Sequence, residues 1–251
     1  MVGIGPGDRN FLSPRAYKAI QDCQVIVGYR TYLQLLNGLL AGKEIISSGM
    51  TQEVRRAHEA IEKALAGKEV CLISSGDPGI YGMAGVILEL LEKDGMEKIE
   101  IEIIPGITAA SSCASLLGAP LMNDFTVISL SDLLTDRHLI EERVRSACQG
   151  DFVIVFYNPK STKRVKPLER AWQILMRYKS PWTPVGVVRN AQRRDEEVII
   201  TSLKDMLSLK QIDMGTTIIV GSSKTYVKGK YMITPRGYKL KDGKKDEILS
   251  R

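Results

Sequence analysis

Val70-Cys71-Leu72-Ile73-Ser74-Ser75-Gly76-Asp77-Pro78-Gly79-Ile80-Tyr81-Gly82 reads as a short buried strand that breaks into a loop of small and polar residues before a helix. A continuous apolar run of this length suits a strand covered on both faces, as in parallel sheets. The loop sets exposed backbone and one carboxylate, Asp77, at the strand's carboxyl end, where open α/β sheets bind ligands. Asp77-Pro78-Gly79 is also a good turn and helix cap. Ile104-Pro105-Gly106-Ile107-Thr108-Ala109-Ala110 repeats the layout at the next strand end, and two such loops favour a ligand crevice over two ordinary turns.

Outward from this stretch, β-branched apolar runs at 2–4, 25–27 and 99–104 alternate with helical periods at 14–23 and 51–66. Ser13 is placed to cap the first helix, with Pro14 at its first position. The second is expected to expose Glu53, Arg56, Glu59 and Lys63 and to end at Gly67. This βαβα order predicts a parallel sheet flanked by helices. The alternation restarts after Gly118-Ala119-Pro120, with strands expected at 125–130, 152–157, 185–188, 198–200 and 217–220 and helices at 137–148 and 164–178. The close run of strands after residue 184 predicts a mixed second sheet. The division is therefore a domain over 1–120, a second over 121–238, and a frayed basic tail over 239–251.

The 251 residues are 44% hydrophobic with 22 Gly and 10 Pro, a globular composition that excludes collagen, disorder and a disulfide scaffold. Cys23, Cys71, Cys113 and Cys148 form no CxxC pair, and His58 and His138 read as surface helix residues, so no protein-bound metal is assigned. No apolar run reaches the ~20 residues of a membrane span, and Met1 leads quickly into Gly5-Pro6-Gly7-Asp8, so the chain is expected to be cytoplasmic. The net charge of +6 resides after residue 223, where nine Lys and Arg face three acids. A terminal excess without interleaved aromatics argues against nucleic acid and for a solvated tail or attraction of an anionic ligand. Lys224, Lys228, Lys230 and Arg236 precede the expected frayed part.

Gly3-Ile4-Gly5-Pro6-Gly7-Asp8 also follows a strand, and its glycines let the backbone approach a ligand. It fails the dinucleotide pattern. The third glycine comes early, Pro6 intrudes, and the second strand ends Val27-Gly28-Tyr29 without the ribose-holding acid.

Taken in order, Gly3-Ile4-Gly5-Pro6-Gly7, the 74–81 loop and the 104–110 loop resemble the tetrapyrrole methyltransferases, the S-adenosylmethionine enzymes of cobalamin and sirohaem synthesis. Three further strings are similar to the branch that methylates carbon 17 of precorrin-3B or its cobalt counterpart. They are Ile128-Ser129-Leu130-Ser131-Asp132-Leu133-Leu134-Thr135, Tyr157-Asn158-Pro159-Lys160-Ser161 and Thr234-Pro235-Arg236-Gly237-Tyr238. The resemblance implies two α/β domains with the active site in the cleft between them, and a homodimer. Carried over by motif, the methyl donor would lie against Ser75, Gly76, Asp77, Thr108, Ala109, Tyr157, Asn158, Arg189, Asn190, Ala191, Thr216 and Thr217. Gly5, Pro6 and Gly7 would face the tetrapyrrole, with Arg30, Lys160, Arg164, Arg189 and Arg236 as candidates to pin its acid arms. These basic residues are alternatively ordinary surface cations. Ring contraction, linked to this branch, needs proton transfers. Asp132 is the leading candidate and Asp8 the second, although Asp132 could instead cap a helix at Leu133.

The sequence departs from the family pattern in its short opening strand, which implies an abbreviated sheet edge or a misassigned start, and at Asn123-Asp124 and Asp136-Arg137-His138. The expected function is thus C17 methylation with ring contraction to the precorrin-4 level in cobalamin biosynthesis. Alternatives are a methyltransferase of the same fold acting on another precorrin position, diphthamide or ribosomal RNA, and, from another class, a non-catalytic ligand-binding module.

Overall fold

A computed structural model describes residues 1–93, 99–162 and 164–238, so the basic tail expected at 239–251 lies outside the described residues. Two compact units divide the chain: Met1–Leu116 with Val188–Glu197, and Leu117–Val187 with Val198–Arg251.

The first unit is built on a four-stranded parallel sheet of β1 (Val2–Gly3), β2 (Val25–Tyr29), β3 (Glu44–Ser48) and β4 (Val70–Ser74), in the order β1-β4-β2-β3. Alternate residues of β2 and β4 feed opposite cores. Ile26, Cys71 and Ile73 pack with Ala16 and Ile20 of α1 (Pro14–Asp22). Val25, Val27 and Leu72 pack with Ala57, Ala60 and Ile61 of α3 (Glu53–Leu65) and Ile87 of α4 (Ala84–Lys93). Burial on both faces is why these strands read as unbroken apolar runs. A short α2 (Arg30–Gln34) follows β2 directly, and α5 (Ala109–Leu117) follows the third loop. Ser13 caps α1 as expected, accepting the Ala16 N–H at 3.1 Å.

Two expectations for this unit are corrected. Residues 99–104 form no strand: a single bridge joins Ile104 to Val2, with the Gly3 N–H reaching the Ile104 carbonyl at 2.9 Å. The neighbouring β1 is two residues long, and a ladder extends no further than its partner. Arg56 is buried rather than exposed. Its guanidinium donates to Ser48 Oγ at 2.8 Å and the Gly49 carbonyl at 2.9 Å, and lies 5.9 Å from the Tyr29 ring. The solvent side of α3 instead carries Val54, Arg55, His58 and Glu62.

The second unit is built around β6 (Phe125–Ser129), β7 (Val153–Tyr157), β8 (Pro184–Arg189), β9 (Glu197–Ser202) and β10 (Thr216–Val220), in the sheet order β6-β7-β10-β8-β9. The sheet is mixed, since β6 runs parallel to β7 and β10 antiparallel to it. The helices α6 (Arg137–Gln149) and α7 (Lys166–Tyr178) supply Ile140, Val144, Leu168 and Leu175 to a core with Ile154, Phe156, Ile218 and Val220. A three-stranded sheet of β5 (Gly118–Ala119), β11 (Tyr226–Lys228) and β12 (Tyr231–Ile233) completes the unit. Among the described residues, no helix is long and apolar enough to cross a membrane, and no group of three or more His, Cys, Asp or Glu could hold a metal ion.

In the first unit the three loops meet backbone to backbone. Gly5 and Gly76 exchange hydrogen bonds of 3.1 and 2.8 Å, while Gly76 and Gly5 adopt φ of +64° and +63°. A Cβ on Gly106 would collide with the Gly76 carbonyl oxygen, and one on Gly3 would sit 2.7 Å from the Gly106 nitrogen. Gly106→Ala should therefore lower unfolding free energy by about 1–3 kcal/mol. Gly85→Ala, within α4 and with its nearest neighbour 3.9 Å away, should raise it by about 0.5–1 kcal/mol. Denaturant unfolding of both variants checks the pair of opposite signs.

Candidate functional site

The site residues expected from sequence fall into two groups, one in each unit. In the first, the 74–82 loop leaves β4 and turns at Asp77. Asp77 Oδ1 accepts the Gly79 N–H at 2.8 Å and Oδ2 accepts the Gly106 N–H at 3.1 Å. The turn alternative for Asp77 is thus realised, and the same carboxylate also ties this loop to the next one. Ser75, Gly76, Thr108 and Ala109 are half-buried beside it. Arg189 lies 3.7 Å from Glu197, and Asn190 and Gln192 both hold positive φ, at 51° and 58°. Left-handed backbone at a residue other than glycine is strained and concentrates at functional sites. Arg30 is exposed on the first turn of α2.

Arg193 was not singled out from the sequence. Its Nε donates to the Pro6 carbonyl at 2.6 Å and Nη2 to Ser75 Oγ at 3.1 Å, joining the first loop to the second. Burial draws its pKa down, opposed by the nearby Tyr32, whose own phenol is pushed up by burial. Together with Gly7, Asp8, Asn37, Arg194 and Glu196 it lines a cleft of about 570 Å³. Asp8 caps a short 3-10 turn, with Oδ1 accepting the Asn10 N–H at 2.7 Å. The run Arg193-Arg194-Asp195-Glu196-Glu197 reads in sequence as a solvated turn. The only available signal was its position just after a strand end.

In the second unit, Asp132 follows β6 and caps no helix, since α6 begins later with Asp136 as its cap. Asp132 Oδ2 accepts Arg137 Nη2 at 2.7 Å, and Arg164 lies 3.9 Å from Oδ1. Arg137 holds the Asp132 carboxyl below its ordinary value against the opposing effect of desolvation. The Arg164 guanidinium is committed locally, donating to the Leu130 carbonyl at 2.6 Å and the Asn158 carbonyl at 2.8 Å, and its pKa is lowered by burial. Asn158, with φ of 51°, donates to Ser129 Oγ at 3.0 Å, so the ends of β6 and β7 are locked together. Tyr157 is half-buried, as is Lys160, while Thr216 and Thr217 are buried in β10 and Arg236 is exposed. Thr216 Oγ1 donates to Asp213 Oδ1 at 3.0 Å.

Residues 1–207 match the family described as Tetrapyrrole (Corrin/Porphyrin) Methylases. The chain belongs to that family. It is 53% identical over 244 residues to a "Cobalt-factor III methyltransferase" of Priestia megaterium, covering 96% of this chain and 45% of that protein. It is 50% identical over 240 residues to a "Probable cobalt-factor III C(17)-methyltransferase" of Salmonella typhimurium, covering 96% of this chain and 99% of the relative. The chain thus spans less than half of the first relative and nearly all of the second. Among solved structures, the methyltransferase CobJ superposes with a TM-score of 0.88 at 34% identity, covering 93% of this chain and 98% of that one. Other relatives are named as a cobalamin biosynthesis protein of Archaeoglobus fulgidus and a precorrin-3B C(17)-methyltransferase of Sinorhizobium, and the parallel and mixed α/β sheets of this chain superpose on those of CobJ.

Because the folded-state pKa of Asp132 is depressed, its contribution to stability is present above the unfolded value and is lost as pH falls through the folded one. Asp132→Asn should cost about 0.5–1 kcal/mol near pH 7. That gap should narrow below about pH 4. Paired denaturant titrations of both proteins across pH measure it, and a gap independent of pH would remove the ion pair from the account.

Proposed function

We propose that this chain transfers a methyl group from S-adenosylmethionine to carbon 17 of a precorrin-3-level tetrapyrrole, with cobalt-factor III as the substrate, and contracts the ring to the precorrin-4 level, an external two-electron donor supplying the reduction that the oxidised factor requires. The carrying observation is the 50% identity that runs over 96% of this chain and 99% of the Salmonella relative. Cobalt enters with the substrate. A homodimer acting in the cytoplasm, independent of nucleic acid and membrane, belongs to the same reading.

The residues present fit the methyl donor. Ser75, Gly76, Thr108 and Ala109 offer small side chains and accessible backbone at the carboxyl end of a parallel sheet. Asp77 uses one lone pair of each oxygen on a loop amide and keeps others for a ribose hydroxyl or an ammonium. When bound, S-adenosylmethionine supplies the methyl as a sulfonium substituent. Displacement by a substrate carbon needs alignment more than a protein nucleophile, and orientation can contribute about 7–11 kcal/mol. The ties among the three loops hold the chain's own groups in register for that alignment.

Ring contraction needs protons moved. Asp132 is bound to Arg137 and held ionised, which suits it to positioning Arg137 rather than to donating a proton at neutral pH. Asp8 lines the cleft with one oxygen engaged by a backbone amide and the other left to accept a proton, and we assign it the general-base role. Anaerobic incubation with labelled S-adenosylmethionine should add one methyl to cobalt-factor III, read by mass spectrometry with a change in absorbance. Transfer only to metal-free precorrin-3B would choose the oxygenated route, and transfer to neither would overturn the proposal. Asp8→Asn should lower kcat by roughly 10²–10⁴-fold while S-adenosylhomocysteine affinity is kept.

A further inference from the structure

The guanidinium of Arg193 is a half-buried charge of the cleft with no carboxylate partner among the described residues. Both of its hydrogen-bond acceptors, the Pro6 carbonyl and Ser75 Oγ, are neutral. None of the ion pairs among the described residues includes it. Arg137 and Arg164 face Asp132, and Arg189 faces Glu197, while Arg194 is outside these ion pairs too but is exposed to solvent. Arg56 is also buried without a carboxylate, but Ser48, Gly49 and the Met83 sulfur engage all three of its nitrogens inside the core. Arg193 has five N–H donors and uses one on Nε and one on Nη2, leaving Nη1 and part of Nη2 without an acceptor among the described residues.

A partly buried cation without a partner is costly, and an anion that reaches it recovers that cost. The unused edge of the fork presents parallel N–H bonds, the geometry that matches a carboxylate in bidentate fashion. The cleft beside it measures about 570 Å³ and is lined by the amides Gln34, Asn37 and Gln192, which can hydrogen-bond a second oxygen or a neighbouring arm, and by the acids Asp8 and Glu196 with Arg194, so an acid arm is expected at the Arg193 fork rather than anywhere in the cleft. Its opposite contact, through Pro6, is to the glycine loop, so an acid held here would also fix that loop.

We propose that Arg193 pins a carboxylate arm of the tetrapyrrole macrocycle in this cleft and, through Pro6 and Ser75, couples its capture to the position of the two loops. This rests on the reading of the substrate as a polycarboxylate macrocycle. The methyl donor also carries a carboxylate, and the test separates the two sources. Arg193→Met and Arg193→Lys are titrated with uroporphyrin III, a polycarboxylate macrocycle, by fluorescence quenching, and with S-adenosylhomocysteine by calorimetry.

Arg193→Met should weaken uroporphyrin III binding roughly 10- to 100-fold and leave S-adenosylhomocysteine affinity within about threefold. Arg193→Lys, which keeps the charge and loses the fork, should fall between Met and the parent chain. Raising salt should weaken the parent's uroporphyrin binding more than that of Arg193→Met. Unchanged uroporphyrin binding in Arg193→Met, a parent chain that does not bind it, or a loss confined to S-adenosylhomocysteine would each overturn the proposal. An equal loss of both ligands, with Lys no better than Met, would make Arg193 a structural latch and overturn it too. Failure of the methylation reading is a separate result, namely absence of methyl transfer to cobalt-factor III by the parent chain.

Discussion

Backbone contact among Gly3, Gly76 and Gly106 is the constraint on which the first unit's site depends. Gly106 has no room for a methyl group against the Gly76 carbonyl, and Gly3 is closed in by Gly106, Gly76 and Pro78. With side chains excluded, main-chain groups do the holding: Gly5 and Gly76 pair with each other, and Asp77 accepts amides from two loops. A ligand arriving at these strand ends meets loops already ordered, which lowers the entropy cost of binding.

Electrostatics divides the site differently in the two units. In the second unit Asp132 faces both Arg137 and Arg164, a cluster of net charge +1, and Arg164 spends donors on the Leu130 and Asn158 carbonyls. Such a cluster ties together the ends of β6 and β7. In the first unit Arg193 has no carboxylate partner among the described residues, at the margin of the cleft that Asp8 and Glu196 also line. An acidic ligand would complete that arrangement.

The strand-then-loop pattern of 70–82 was legible because burial on both faces and close backbone approach each leave a compositional trace, in apolar runs and glycines. The parallel and mixed sheets followed from it. What escaped reading was carried by contacts distant in sequence. The strand β3 pairs along β2 but is bounded by polar and charged residues, and β5, β11 and β12 are too short for a period. Residues 99–104 have strand composition, yet β1 gives them one bridging position. Arg56 follows the spacing of an exposed residue until Ser48, Gly49 and Met83 surround it, and Arg193 hides in a charged turn that only folding brings to Pro6 and Ser75.

The glycine junction is a rigid part of the first unit and not a set of surface turns. Native-state amide hydrogen exchange at Gly5, Gly76 and Gly106 tests it most directly, because each N–H is bonded to another loop. The account predicts protection approaching that of the β2 and β4 amides, with exchange governed by global unfolding. Exchange at the rate of open loops, while β2 and β4 remain protected, would contradict it.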